Sequence, residues 1–362
     1  MLAKPAIDLP ERSRILVVTL RRLGDVLLTT PLIHSLKLGI ADCSIDALVF
    51  RGTEGMLAGN PDIENVIAVP EHSSPRESLT LLRRLWRRYD LAVSTQTGDR
   101  PAFWAWAAAR RRAGFIDARV SGAWWKRRVF RAHVETDEAN HRVLELLRLV
   151  DRLGLARRNE VVCPAGASWA GAVLGGRYAV LHANPKFRIR RWTSAAWREL
   201  AGALAARGLS VIATGGAAAD EKAYLDELWQ GLEPAVVRLD GVLSWSDLTA
   251  LLRGAAVYVG PDTSMTHLAA GAGAPTVALY GPASPSLIGP WPIGGLEWPW
   301  ARAGTIQHRG NVWVVQNPLP CMPCDRLGCE NHLESRSQCL DELPVQQVLA
   351  AVDQALTIRQ AA

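Results

Sequence analysis

The segment Val259 to Pro282, V-G-P-D-T-S-M-T-H-L-A-A-G-A-G-A-P-T-V-A-L-Y-G-P, restricts the fold more than any other stretch of the chain. It reads as the end of a buried strand, a polar turn, a short helix of small residues and a second buried strand. Continuous apolar strands that alternate with helices belong to parallel sheets covered on both faces. The turn leaves backbone N–H groups unpaired at the positive end of a helix, where a phosphate can sit. Asp262, Thr263 and Ser264 are residue types that accept bonds from such amides. An ordinary capped helix has the same pattern, so this segment sets the fold class and leaves the ligand open.

Arg14 to Lys37, R-I-L-V-V-T-L-R-R-L-G-D-V-L-L-T-T-P-L-I-H-S-L-K, repeats the arrangement near the other end. Ile15 to Leu20 is apolar enough for a fully covered strand. A basic turn follows, and Gly24-Asp25 opens an amphipathic helix. Asp25 then stands at the carboxyl end of the first strand, where ligands of open α/β sheets bind. A plain helix cap is the alternative role for Asp25. Pro31, preceded by Thr29 and Thr30, predicts a kink or restart in the helix.

A chain of 362 residues exceeds one ordinary core and suits two domains of roughly 150 to 180 residues. Strands are expected at 14–20, 45–50, 65–69 and 90–95, with helices near 25–38, 76–88, 101–110 and 137–153. After a connection rich in Ala and Gly from Val161 to Arg177, strands are expected at 178–183, 209–214, 236–239, 256–259 and 276–280. Helices near 193–206, 218–230, 246–253 and 264–271 alternate with them, and a terminal helix falls near 344–358. Two βαβ series mean two doubly wound sheets. The expected domains are 1–165 and 166–343, with 344–362 packing back on the first.

In order and spacing, L-R-R-L-G-D-V-L-L-T-T-P, M-L-A-G-N-P-D-I-E-N-V, Y-D-L-A-V-S-T, L-H-A-N-P with R-R-W, V-G-P-D-T-S-M-T-H-L-A-A and L-Y-G-P resemble glycosyltransferase family 9. These are the heptosyltransferases of the lipopolysaccharide inner core, and the likeness is closest to the heptosyltransferase III branch. It implies a GT-B fold of two Rossmann-like domains and inverting transfer from ADP-heptose to the lipopolysaccharide core. Asp25 matches the family's catalytic carboxylate and is expected to be the general base. Arg190 stands where relatives carry Lys, and its fork can hold two phosphate oxygens of the leaving group. His182, Asn184, Lys186, Arg191, Asp262, Thr263, Ser264, Met265 and His267 are the expected donor-binding residues, and Arg21, Arg22, Gly24 and Arg100 the acceptor-binding ones. Relatives often place Gly where Ser264 stands. His267 reads equally as a packed core histidine, and the loop 182–191 as a structural basic turn. No Asp-x-Asp occurs, in keeping with catalysis that uses no cofactor.

Residues 1–150 hold 23 Lys and Arg against 17 Asp and Glu, whereas residues 151–362 hold 18 of each. Aromatics interleave with the basic clusters: Phe103, Trp104 and Trp106, then Trp124-Trp125 before Lys126-Arg127-Arg128. Arginine and tryptophan favour an anionic membrane surface. The run Arg83 to Arg88 fits a solvated helix face, and Trp124 to Arg128 fits membrane or acceptor contact. No nucleic-acid motif accompanies them. With no long apolar span and no apolar leader in Met1 to Arg14, the expected location is cytoplasmic, peripheral to the inner membrane.

Cys321-x2-Cys324-x4-Cys329-x9-Cys339 gathers four thiols. They suit structural zinc or iron, with reduced free thiols or a disulfide as alternatives. Autotransporter-glycosylating relatives carry a four-Cys metal finger, which keeps a protein acceptor or another donor open as a second reading. A non-catalytic sugar-nucleotide-binding protein is the third.

Overall fold

The computed structural model describes residues 9–120, 124–166, 176–232, 235–296 and 298–361, the last four by backbone alone. The chain divides into two compact units, Met1–Pro164 and Ala165–Ala362. Most of the expected connection lies outside the described residues.

The first unit is a six-stranded parallel sheet: β1 (Arg14–Thr19), β2 (Ser44–Phe50), β3 (Asn65–Val69), β4 (Tyr89–Ser94), β5 (Ala109–Ile116) and β6 (Ala132–Glu135). Its order is β3-β2-β1-β4-β5-β6. Ile15 to Val18 are fully buried because helices cover both faces of β1. The helix after β1 breaks and restarts as expected, as Leu23–Leu27 and Thr30–Gly39 with Pro31 in the new first turn. A capping box at Ser74 and Glu77 begins the helix Pro75–Leu85.

The sequence pattern offers no strand at 109–116, and the helix expected near 101–110 ends at Ala108. Instead Arg110-Arg111-Arg112 lie in β5, and the Arg112 guanidinium donates to the Val129 and Ala109 carbonyls. This charged start hides the apolar half of the strand.

The second unit contains β7 (Tyr178–Leu181), β8 (Ser210–Ala213), β9 (Val236–Arg238), β10 (Val257–Pro261), β11 (Thr276–Leu279), β12 (Ile306–Arg309) and β13 (Val312–Val315), in the order β12-β13-β11-β10-β7-β8-β9. Only the β12–β13 pairing, a hairpin the sequence reading did not foresee, is antiparallel among the described strands. The helix Ser264–Ala272 ends on Gly273, whose φ of 87° is the left-handed conformation glycine adopts freely.

The terminal helix Val345–Ala361 corrects an expectation. Its buried side chains Val348, Ala351, Val352 and Ala355 join Trp192, Trp197, Trp229 and Trp313 in the second unit's core. Small residues on that face let the helix lie close to the second sheet. Among the described residues, no helix is long and apolar enough to cross a membrane.

Candidate functional site

In the first unit, strand order reverses beside β1, between β2 and β4, which opens a crevice at the strand ends. Asp25 stands in the first turn after β1 and is buried. Arg21 Nε lies 2.9 Å from its Oδ1, and Arg142 Nε lies 3.4 Å from the same oxygen. Arg142 begins the helix Arg142–Arg152 and also donates to the Thr95 carbonyl at 3.0 Å. Thr95 is tied back to β1 by its own N–H to the Val18 carbonyl at 3.1 Å. Burial lowers the Arg142 pKa to about 10 while Asp25 raises it, so the guanidinium is charged at neutral pH. The carboxylate is therefore gripped by one exposed and one enclosed cation.

Gly24 occupies the same helical turn, and Arg22 is exposed beside it. Arg100 is engaged elsewhere: its guanidinium donates to the Pro70 and Glu71 carbonyls and to Ser73 Oγ, and covers the Phe50 ring. These contacts hold the turn after β3.

In the second unit, the reversal falls at β7, between β8 and β10. The turns after β7 and β10 meet there. Arg190 Nη1 donates to the Asp262 carbonyl at 2.8 Å, and Nη2 lies 3.2 Å from Asp262 Oδ2. Tyr280 donates its hydroxyl to Asp262 Oδ1 at 3.3 Å, and the Tyr280 pKa is pushed far up by burial and by that carboxylate. His267 Nε2 is 3.9 Å from Asp262 Oδ1, and His267 and Met265 are both buried. Thr263 gives no side-chain cap to the helix Ser264–Ala272. Beside this, Asn184 is buried with neither end of its amide hydrogen-bonded. Leaving both ends of a buried amide unmet costs about 1–3 kcal/mol per group unless a ligand meets them.

His182 and Arg191 behave differently from the sequence-based expectation. His182 shares a hydrogen bond with Thr214 Oγ1 at 3.2 Å, and burial pushes its pKa down to about 4. It is neutral and offers no charge to a diphosphate. Arg191 stacks over Tyr224 at 4.4 Å, while Lys186 is exposed. A cavity of about 180 Å³ adjoins the Arg190–Asp262 pair and is lined in part by Gly281, Asp325 and Arg326.

The family model Glycosyltransferase family 9 (heptosyltransferase) matches residues 78–294. The chain belongs to this family. Lipopolysaccharide heptosyltransferase 3 of Escherichia coli is 27% identical over 296 residues, covering 74% of this chain and 83% of the relative. A family 9 glycosyltransferase from Veillonella parvula DSM 2008 superposes with a TM-score of 0.76 at 17% identity, over 96% of this chain and 98% of that one. The E. coli heptosyltransferase WaaC with ADP-2-deoxy-2-fluoro heptose gives 0.67 at 22% identity, over 96% and 100%. The two sheets, parallel but for the β12–β13 pair, are thus those of the Rossmann-like domains of a GT-B fold, and the protein is a glycosyltransferase.

Two features of the glycosyltransferase escaped the sequence reading. Glu221, in the first turn of the helix Ala219–Trp229, lies against Gly216, where a Cβ would fall 1.8 Å from its Oε2. Burial raises its carboxyl pKa, while Arg191 and Lys186 pull the other way. A glycine pair after β8 followed by an acid was the available signal. Arg142 gave none, because only the packing of its helix brings it to Asp25.

The cysteine loop is tied to the second unit at Pro282, Ser284 and Ile189. Asp325 N–H donates to the Pro282 carbonyl at 2.9 Å, and its Oδ1 accepts from Ser284 N–H at 3.0 Å. Ser337 Oγ donates to the Ile189 carbonyl at 2.7 Å. The four cysteines form no disulfide. Cys339 is pushed up to about 12 by burial and by the neighbouring Cys324, Cys329 and Cys321. Four thiols within electrostatic reach are a donor set suited to a soft metal. Among the described residues, no three His, Cys, Asp or Glu side chains stand in position to hold an ion.

Proposed function

We propose that this glycosyltransferase transfers heptose, with inversion, from ADP-heptose to the inner core of lipopolysaccharide. One observation carries the reading: a buried carboxylate, Asp25, held between the guanidiniums of Arg21 and Arg142 at the strand-order reversal of the first sheet. The heptosyltransferase names of the relatives support the sugar and the acceptor class. The ADP-sugar ligand named for the WaaC structure supports the choice of nucleotide.

In this mechanism the acceptor hydroxyl oxygen attacks the anomeric carbon opposite the diphosphate. The new C–O bond forms as the bond to ADP breaks, and the hydroxyl proton passes to Asp25. ADP departs with the bonding electron pair. Arg190 and the amides of Ser264 and Met265 offset the charge that develops on it. Asn184, Asp262, Thr263 and His267 orient the sugar and phosphates, with Lys186 at the exposed edge. Arg21, Arg22 and the Gly24 turn receive the acceptor. Cys321, Cys324, Cys329 and Cys339 would hold a structural zinc or iron ion, which would fix the loop bearing Asp325 and Arg326. The enzyme acts in the cytoplasm, at the inner face of the membrane.

The test is a transfer assay on truncated lipopolysaccharide with ADP-heptose, UDP-sugars and GDP-sugars, run for the wild type and Asp25→Ala. Transfer from ADP-heptose alone, with inverted product and loss in the variant, supports the proposal. Undiminished transfer by Asp25→Ala removes the assigned base.

A further inference from the structure

The helices Pro75–Leu85 and Asp99–Ala108 pack against each other in the first unit. On and beside them, four large apolar side chains remain exposed: Leu79 at 46%, Trp86 at 47%, Phe103 at 41% and Trp106 at 36%. Three of these form one ring cluster. Trp86 meets Trp106 edge to face with centroids 5.5 Å apart, and Phe103 lies 5.9 Å from Trp106. Leu79, Arg83 and Trp86 follow the i, i+4, i+7 spacing of one helix face. Apolar side chains scattered singly over a surface are ordinary, but a contiguous aromatic cluster in water marks an interaction site.

Five arginines stand on and beside this cluster. The Arg87 guanidinium stands 5.2 Å from the Trp86 ring and 5.5 Å from that of Trp106, anchored by a bond to the Ala109 carbonyl at 2.7 Å. Arg83, Arg84, Arg88 and Arg110 are exposed nearby in sequence and structure. Among the described residues, none of these five arginines forms an ion pair with a carboxylate. The segment Trp124–Val129 differs. Lys126 is buried, ion-paired with Asp99 at 2.6 Å and donating to the Thr97 carbonyl, and Arg127 is paired with Glu135 at 2.9 Å. Two of its three cations are thus paired within the unit, and Arg128 lies over the Trp124 ring at 5.1 Å.

We infer that the Trp86–Phe103–Trp106 cluster and its arginines dock the first domain on an anionic lipid surface. The rings lie at the headgroup level, and the guanidiniums take lipid phosphates in forked hydrogen bonds. Charge complementarity selects this occupant: a second copy meeting the same patch about a twofold axis would set arginine against arginine. With no membrane-crossing helix among the described residues, the contact is interfacial. The inference rests on the proposed action at a lipid-linked acceptor, and binding measured without any sugar substrate keeps the two separable.

The experiment is flotation of the full chain with phosphatidylglycerol-containing vesicles and with neutral phosphatidylcholine vesicles, at low and high salt. The wild type is expected on anionic vesicles at low salt and to be released as salt rises. The triple variant Trp86→Ser, Phe103→Ser, Trp106→Ser, and separately Arg83→Gln with Arg84→Gln and Arg88→Gln, are each expected to bind about tenfold more weakly. Both should retain wild-type circular dichroism and transfer to a detergent-free, water-soluble acceptor. Equal binding by the triple variant, equal binding of the wild type to neutral vesicles, or a patch variant that only converts a dimer to a monomer would overturn the inference. Loss of transfer with normal vesicle binding would instead count against the proposed reaction.

Discussion

Arg142 Nε lies 3.4 Å from Asp25 Oδ1, and both side chains are largely withdrawn from water. An enclosed cation beside a carboxylate fixes its direction. Arg142→Gln is expected to lower kcat for heptose transfer by about tenfold to a hundredfold with little change in donor KM, and Arg142→Lys to recover part of the loss. Asp25→Asn should lose about 10²–10⁴ in kcat. Steady-state kinetics on variants of native circular dichroism check this. A donor KM that rises while kcat holds would point to a binding role instead.

Arg190 engages both the carbonyl and the carboxylate of Asp262. A lysine places one charge but cannot reproduce that fork. Arg190→Ala should therefore reduce kcat by about 10²–10³, and Arg190→Lys by less. Calorimetry with ADP should show weaker binding in the same order.

Asn184 is the buried amide whose two ends lack partners. Asn184→Leu should stabilise the unliganded protein by about 1 kcal/mol in urea unfolding, because a desolvated amide is removed. The same variant should bind the donor more weakly. Stabilisation without any loss of donor affinity would assign Asn184 no ligand.

His182 has its folded pKa lowered to about 4 from the ordinary 6.5. Above pH 6.5 both folded and unfolded forms are neutral, so the group has no effect on stability. As pH falls from 6.5 toward 4, the unfolded chain takes up a proton that the folded chain refuses, and stability drops by at most about 3 kcal/mol. His182→Asn, compared with wild type by unfolding at pH 7 and pH 4.5, should show a smaller decline.

Cys321, Cys324, Cys329 and Cys339 should bring about one equivalent of zinc or iron with the purified enzyme. Elemental analysis measures it directly. Cys324→Ser should lose the metal and lower the melting temperature, and a chelator should do the same to the wild type. Absence of metal from both proteins would leave the four as free thiols.

The local alternation of strand and helix was legible because β1 and β10 are buried on both faces and read as unbroken apolar runs. Pro31 announced its helix restart, since a missing N–H acts locally. β5 and the hairpin of β12 with β13 were not legible, because the charged start Arg110-Arg111-Arg112 hides the apolar half of β5 and the edge strand β12 carries Gln307, His308 and Arg309.

The sequence by itself determined the two doubly wound sheets and the residue types at each strand end, including Asp25, Arg190 and Asp262. Those follow from short-range periodicity and turn chemistry. Only tertiary structure decided that Arg142 reaches Asp25, that His182 is neutral, and that Arg100 serves a turn. It also placed the final helix on the second sheet and left Trp86, Phe103 and Trp106 in water. Each of these is a contact, or a lack of one, between segments distant along the chain, where packing and desolvation act and local pattern carries no information.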